Sequence, residues 1–296
     1  MGFLDSLKNL FGGGSKSAEV NVAKRFDIRG KTGQGSMSKV YQAYDRDLGR
    51  TICLKLLDKV KTAAFEAKFK KRGLKKPTEG KICTALKHPN VVTTYEHGTT
   101  TKGEPYLVME WVEGSGLNYL IESKSAKLDG HRMEYIGQLC DAIQFIHDQK
   151  FLHRDLCPRN VMVTPEGVVK LIDFGLTIPY EPAYCLSGNR TGTVDYLPPE
   201  VIKGSKTDHR VDVFALGVTA FEVLTGNLPW ERSPSSEDTI LRHLNTPARS
   251  PKEVRADLDD ALCQVLSKCI ERDMKARYAS ARDFKDALHQ LKRQNY

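Results

Sequence analysis

No stretch of this 296-residue chain approaches the ~18 consecutive apolar residues that a membrane-crossing helix needs; Val213 to Phe221 comes nearest and is far too short. The N-terminus lacks the charged start, apolar run and small-residue cleavage site of a secretory signal, so export is not expected. Cysteines never fall in CxxC pairs, which removes the usual zinc and dithiol motifs. Their number, seven, is odd, so they cannot all pair within one chain. Free thiols in a reducing cytoplasm are the expectation. Internal repeats are absent as well. The net charge of +8 is unevenly spread: nine Lys or Arg between Lys59 and Lys81, against Glu66 and Glu79, carry +7 of it. A single basic segment of this kind reads as a solvated helix face, and no nucleic-acid partner is expected.

What is present is an ordinary soluble composition, 40% hydrophobic and 28% charged, in a chain long enough to bury a sizeable core. Residues 1–17 stand apart. Phe3, Leu4, Leu7, Leu10 and Phe11 share one face at helical spacing, and a Gly/Ser-rich linker follows from Gly12 to Ser17. A helix over residues 3–11 is too short to be stable alone and needs a surface: a membrane, a regulatory partner or its own domain. From 25 to 111 the chain is strand-rich. Val40–Tyr44, Thr51–Leu57, Val91–Tyr95 and Tyr106–Trp111 carry β-branched and aromatic enrichment. From 112 to 292 the pattern is mainly helical. Met133–Asp148 is amphipathic, and Val211–Leu224 is apolar nearly all round, as in a helix at the centre of a core. The expected fold class is α+β, a small β-rich lobe followed by a larger, mainly α-helical one.

Three motifs carry chemistry. Glycines at Gly33 and Gly35, in GQGSMSKV ending at Val40, allow backbone amides to approach a polyphosphate without a Cβ in the way. Lys55 lies on a strand where Ile52 and Leu54 alternate with Cys53 and Lys55, so the ammonium shares a face with a small residue. The third is HRDLCPRN, His153 to Asn160, followed by DFG at Asp173–Gly175. If short strands at Val161–Val163 and Val168–Ile172 fold the chain back, Asp155, Asn160 and Asp173 converge. Asp155 would then accept a hydroxyl proton. Asn160 and Asp173 offer the oxygen ligands that Mg²⁺ takes alongside phosphate oxygens.

In this order and at this spacing the motifs resemble those of eukaryotic-like serine/threonine protein kinases, including the bacterial Hanks-type enzymes, over roughly residues 25 to 292. The resemblance implies a bilobal kinase fold. It implies transfer of the γ-phosphoryl group of ATP to protein hydroxyls, autophosphorylation included, with Mg²⁺ as the metal and a protein as the substrate. By position, Gly33, Gly35, Val40, Cys53, Lys55, Met109 as gatekeeper, Glu110 to Val112 as hinge, and Met162 would bind the nucleotide. Asp155 matches the catalytic base and Asn160 and Asp173 the metal ligands. Thr193, in GTVDY, stands where serine/threonine kinases keep a hydroxyl against the base. Glu200 should pair with Arg277, and Asp212 should brace the catalytic loop.

Counting back from His88, Pro89 and Asn90, the family position of the acidic partner of Lys55 falls on Glu79. Pro77 suits the first turn of a helix, so that helix should begin near Pro77 with Glu79 in its opening turn. Gly73 should separate it from an extra basic helix at 62–72, and an element outside the fold is expected to hold Glu79 in place. Cys157 replaces the lysine that serine/threonine members carry two residues after the base. Arg159 matches an arrangement found in tyrosine kinases, whose loop reads HRDLAARN, and is expected to supply the missing charge. The alternative is a nucleotide-binding pseudokinase or scaffold. Such proteins usually lose the base, the strand lysine or the DFG aspartate, whereas this chain keeps all three. Arg154 before the base implies control by activation-loop phosphorylation, with Thr191 or Ser187 preferred over Tyr184 as acceptor. Because the chain stops at Tyr296, no attached sensor domain is expected. Input would come through partners or residues 3–11, from the cytoplasm or the periphery of a membrane.

Overall fold

Alternating burial in the first third of the chain builds a sheet. A computed structural model describes residues 19–34, 37–188, 190–292 and 295–296; Gly35 and the amphipathic stretch 3–11 lie outside them. The chain divides into two compact units, residues 1–88 with 92–113, and residues 89–91 with 114–296.

In the first unit β1 (Phe26–Gln34), β2 (Ser38–Asp45), β3 (Arg50–Leu57), β4 (Thr94–Thr99) and β5 (Pro105–Glu110) form an antiparallel sheet in the order β1-β2-β3-β5-β4. Ile52 and Leu54 of β3 are fully buried and pack with Phe26, Ala43, Tyr106 and Val108. Burying each such side chain contributes about 1.5–3 kcal/mol. The two-residue period turns Cys53 and Lys55 to the opposite face. An ion-pair network closes the sheet beside this core: Arg25 reaches Asp45 at 2.8 Å and Glu96 at 2.8 Å, and Tyr106 donates its hydroxyl to Glu96. Burial pushes the Asp45 carboxyl up, but hydrogen bonds from Arg25 and the Asp47 and Leu48 amides hold it below the usual range.

The strand expected at Val91–Tyr95 is displaced. Val91 and Val92 are buried without belonging to a strand, and β4 runs instead through TYEHGT at the sheet edge. An edge strand is only partly buried, so it needs little of the apolar alternation that marks an interior one.

A short α1, Val22–Arg25, precedes β1, and after β3 comes α2, Lys59–Lys70, whose start is set by Asp58 accepting the Val60 and Lys61 amides. It therefore begins three residues earlier than the expected 62, at a cap the basic run concealed. Its Phe65 and Phe69 are buried edge-to-face at 5.5 Å, while Lys61, Lys68, Lys70 and Lys71 stay exposed. The next helix, α3, spans Glu79–Ala85 with Thr78 as its N-cap. Pro77 thus precedes the cap instead of occupying the first turn. Gly80 lets α3 approach β4 closely, since a Cβ there would lie 2.5 Å from His97 Cβ.

In the second unit the short helices α4 (Leu117–Glu122) and α6 (Pro199–Ile202) accompany the two on which it is built, α5 (Arg132–Asp148) and α7 (Arg210–Thr225). Every α7 residue from Val211 to Leu224 is buried. Gly217 allows the segment at Cys269 to press against α7, where a Cβ would meet Cys269 Cβ at 2.3 Å. Short strands β6 (Ser115–Gly116), β8 (Val161–Val163) and β9 (Val169–Leu171) form a sheet that carries the loops of the candidate site, and β7 (Phe151–Leu152) pairs with β10 (Ile178–Pro179). Arg277 and Glu200 form a buried bidentate pair at 2.7 and 2.8 Å. Among the described residues no helix is long and apolar enough to cross a membrane.

Candidate active site

Within the first unit, Lys55 Nζ donates to Glu79 Oε1 at 2.6 Å, with side chains only 5% and 9% exposed. Glu79 opens α3, as its position after the proline suggested. Both residues belong to this unit, and the Thr78 cap and the close seat of Gly80 on β4 hold the first turn that carries Glu79. Gly33 pairs with Val40 between β1 and β2, and Cys53 with Met109 between β3 and β5. Met109 is buried, Val112 is half-buried, and Glu110 accepts the Thr93 amide at 2.7 Å. Burial pushes the Cys53 thiol up to about 11, so it is neutral.

The second unit gathers the HRD and DFG residues. Arg154 has φ +68°, a conformation that costs of order 1–3 kcal/mol for a non-glycine residue. It aims successive amides at one acceptor: Asp212 takes His153 N at 2.8 Å and Arg154 N at 2.7 Å. His147, which the sequence reading missed, bonds the same carboxylate at 2.8 Å. Its signal was a polar residue on the buried stripe of α5. Burial pushes Asp212 up, yet these partners, His147 foremost, hold its carboxyl below the usual range. Asp212 is thus an anion fixing the loop from beneath.

On that support Asp155 Oδ1 accepts both the amide and the hydroxyl of Thr193, each at 2.8 Å. Asn160 Nδ2 reaches the Asp155 carbonyl at 2.8 Å and Oδ2 at 3.1 Å. Gly192 makes the Thr193 contact possible: its φ is +133°, and a Cβ would stand 2.9 Å from the Arg154 carbonyl. Asp173 is tied in twice, by its carbonyl to His153 Nε2 at 2.7 Å and by Oδ1 to the Gly175 amide at 2.9 Å. Asn160 accepts the Ile172 amide at 3.0 Å, which brings the residue before Asp173 against it.

The donor set suits Mg²⁺. The Asn160 amide nitrogen is consumed by Asp155, which turns its oxygen away as a ligand, and Asp173 adds a carboxylate. Among the described residues no three His, Cys, Asp or Glu side chains converge as a metal cluster. A hard cation that takes one or two protein ligands besides phosphate oxygens does not need one. Cys157 is buried beneath the site, with Sγ 3.8 Å from Thr193 Oγ1. Burial and then the charge of Asp155 push its thiol up to about 11. Cys185 is likewise pushed up to about 11 by burial, so neither thiol has the thiolate character of a redox sensor. Arg159 is exposed and, among the described residues, makes no hydrogen bond or ion pair. Met162 is half-buried on β8.

The protein kinase domain family matches residues 26–292 of this chain. The chain belongs to the protein kinase family. Its fold is accordingly that of a protein kinase domain, α+β, with the five-stranded sheet in the first unit and most of the helices in the second. A probable serine/threonine-protein kinase of Clostridium perfringens is 31% identical over 275 residues, 92% of this chain and 39% of that protein. Serine/threonine-protein kinase PknB of Mycobacterium tuberculosis is 30% identical over 280 residues, 90% of this chain and 43% of that protein. Serine/threonine-protein kinase pkn3 of Myxococcus xanthus is 29% identical over 284 residues, 90% of this chain and 50% of that protein. The kinase domain therefore spans half or less of these relatives' length.

Proposed function

We propose that this kinase domain transfers the γ-phosphoryl group of ATP to serine or threonine hydroxyls of proteins, its own included. The observation that carries the reading is Asp155, whose carboxylate is oriented from two sides by Thr193 and Asn160. A hydroxyl entering beside Thr193 would give its proton to Asp155 as it attacks. Lys55, held by Glu79, would engage the α- and β-phosphates. The backbone around Gly33 and Gly35 would cover the phosphates, and Val40, Cys53, Met109, the hinge Glu110 to Val112, and Met162 would hold the base. Bound Mg²⁺, held by Asn160 and Asp173, would neutralise charge on the phosphate oxygens. The acidic and basic residues a pseudokinase gives up are all present, and nothing observed favours that reading.

Cys157 is too short, too buried and too neutral to stabilise a developing phosphoryl charge, whereas Arg159 is exposed and untethered. Arg159→Ala is expected to lower the transfer rate, by less than the roughly 10²–10³-fold that loss of a preorganised donor costs, because the untethered side chain must first be ordered. Cys157→Ala should cost far less. Steady-state rates of the two variants check this; equal, small losses would take the compensating role from Arg159. On the activation segment Ser187 is exposed and Thr191 half-buried, whereas Tyr184 is buried. Accessibility favours Ser187 or Thr191 as the regulatory acceptor. All seven cysteines are free thiols, which supports a reducing, cytoplasmic setting, with residues 3–11 as the element that meets a membrane or a regulatory partner.

Incubation with γ-labelled ATP and Mg²⁺, followed by mapping of phosphosites, tests the reading. Label is expected on serine or threonine residues of the protein itself and of a generic acceptor. Nucleotide-dependent thermal stabilisation without any incorporation would make the domain a scaffold.

A further inference from the structure

The segment that presents Thr193 to Asp155 runs on into a 3-10 turn, Val194–Tyr196. Tyr196 lines the same small pocket as Asp155 and Thr193, and its hydroxyl donates to Glu222. Glu222 Oε1 in turn accepts from Arg232 Nη2 at 3.2 Å, and Arg232 Nε lies 3.7 Å from Asp195 Oδ2. One guanidinium of the chain therefore spans both carboxylates, of which Asp195 lies two residues beyond Thr193 and Glu222 is bonded to Tyr196. Exposure decides what an incoming chain meets. The side chains of Glu222 and Asp195 are 9% and 21% exposed, against 56% for Arg232.

Arg159, on the catalytic loop, adds a second exposed cation. Glu231 is different: its side chain is 70% exposed, between Arg242 at 4.0 Å and Arg249 at 3.6 Å. At the Tyr196 end of the acceptor segment the carboxylates are the covered ends of the contacts and Arg232 is the open one. A basic segment would have to displace Arg232 to reach Asp195 or Glu222, whereas an acidic one meets an exposed guanidinium.

We infer that the acceptor surface beside Asp155 takes protein segments carrying Asp or Glu close to the target hydroxyl, and that Arg232 is the residue that sets this preference. The inference rests on the phosphotransfer reading above and names its substrate class. Removing Arg232 would expose Asp195 and leave Glu222 without its cation. Burial already pushes Glu222 above the usual carboxylate range, with Tyr196 and Arg232 opposing, so Asp195 is the anion a basic substrate would then find.

The test is a set of serine and threonine peptides that differ only in acidic, neutral or basic flanks, compared by their ratios of kcat/KM. Wild type is expected to favour acidic over neutral flanks by about fivefold, the upper range for one partly exposed pair. Higher ionic strength should flatten the ratio. Arg232→Ala should lose the preference, Arg232→Glu should invert it toward basic flanks, and Arg232→Lys should restore it. Thermal unfolding of each variant shows whether it is folded, and a ratio within one variant is insensitive to its folded fraction. A wild type that ignores charge or prefers basic flanks overturns the inference, as does an acidic preference that survives in Arg232→Glu. Those results leave the phosphotransfer reading standing. Absence of label on every peptide and on the protein itself would instead overturn that reading, and the inference with it.

Discussion

Asp155→Asn is expected to lower phosphoryl transfer by roughly 10²–10⁴-fold, the range a positioned general base contributes. The substitution is nearly isosteric, and an amide oxygen can still accept the Thr193 amide and hydroxyl that Asp155 Oδ1 accepts at 2.8 Å. What disappears is the capacity to take a proton. The other amide position brings two donors together, since Asn160 Nδ2 already donates to Asp155 Oδ2 at 3.1 Å. The cost of that mismatch, about 1–3 kcal/mol, is local and does not unfold a kinase domain. Single-turnover transfer measured beside nucleotide-dependent thermal stabilisation separates the two effects. Transfer should collapse while stabilisation by nucleotide persists. A variant that retains the wild-type rate would remove Asp155 from the role of base and return the site to a binding function.

The second large effect is one of stability. Arg277 has a fully buried side chain and makes two parallel bonds to Glu200 at 2.7 and 2.8 Å. Its Nε also donates to the Glu271 carbonyl at 2.7 Å, and its guanidinium lies 4.8 Å from the Phe214 ring centroid. Arg277→Met is expected to destabilise the second unit by about 3–5 kcal/mol, because it strands the Glu200 carboxylate in an environment that cannot solvate it. The same reasoning applied to Glu200→Gln leaves the arginine short of its counter-charge. The double variant should lose less than the sum of the two, since neither charge is then left alone. Chemical denaturation of the three variants checks this. Additive losses would show that packing around Phe214, and not charge pairing, is what Arg277 contributes. Glu200 also lies in the first turn of α6, Pro199–Ile202, directly after the acceptor segment, so the single variants should slow transfer as well.

Much of the site was legible because its parts are local. His153, Arg154 and Asp155, the amide of Asn160, and the DFG triplet each occupy a stretch of a few residues, and the strands between them read from their β-branched content. Glu79 was found by counting back from His88, Pro89 and Asn90. The structure then supplied the reason it reaches Lys55: a threonine cap that makes it the first helical residue, and a glycine that seats the helix on β4. The misreadings have a common cause. The basic run hid the Asp58 cap, so α2 began three residues early, and buried valines at Val91 and Val92 mimicked a strand because burial alone does not specify a backbone conformation. His147 lies in the amphipathic helix without being singled out by its pattern, and it is a partner of Asp212, 65 residues away.

Composition, periodicity and motif order were sufficient for the class of fold, its strand-rich first part and helical remainder, and the chemical types gathered at its reactive loop, since all of these depend on near neighbours along the chain. Which carboxylates remain accessible was settled by packing alone. Arg232 meets Asp195 and Glu222, and Arg277 meets Glu200, through folding that brings distant residues to within 4 Å. Whether a charge is spent inside the protein or offered to a partner depends on that folding, because Coulomb interactions and desolvation act through space and not along the sequence.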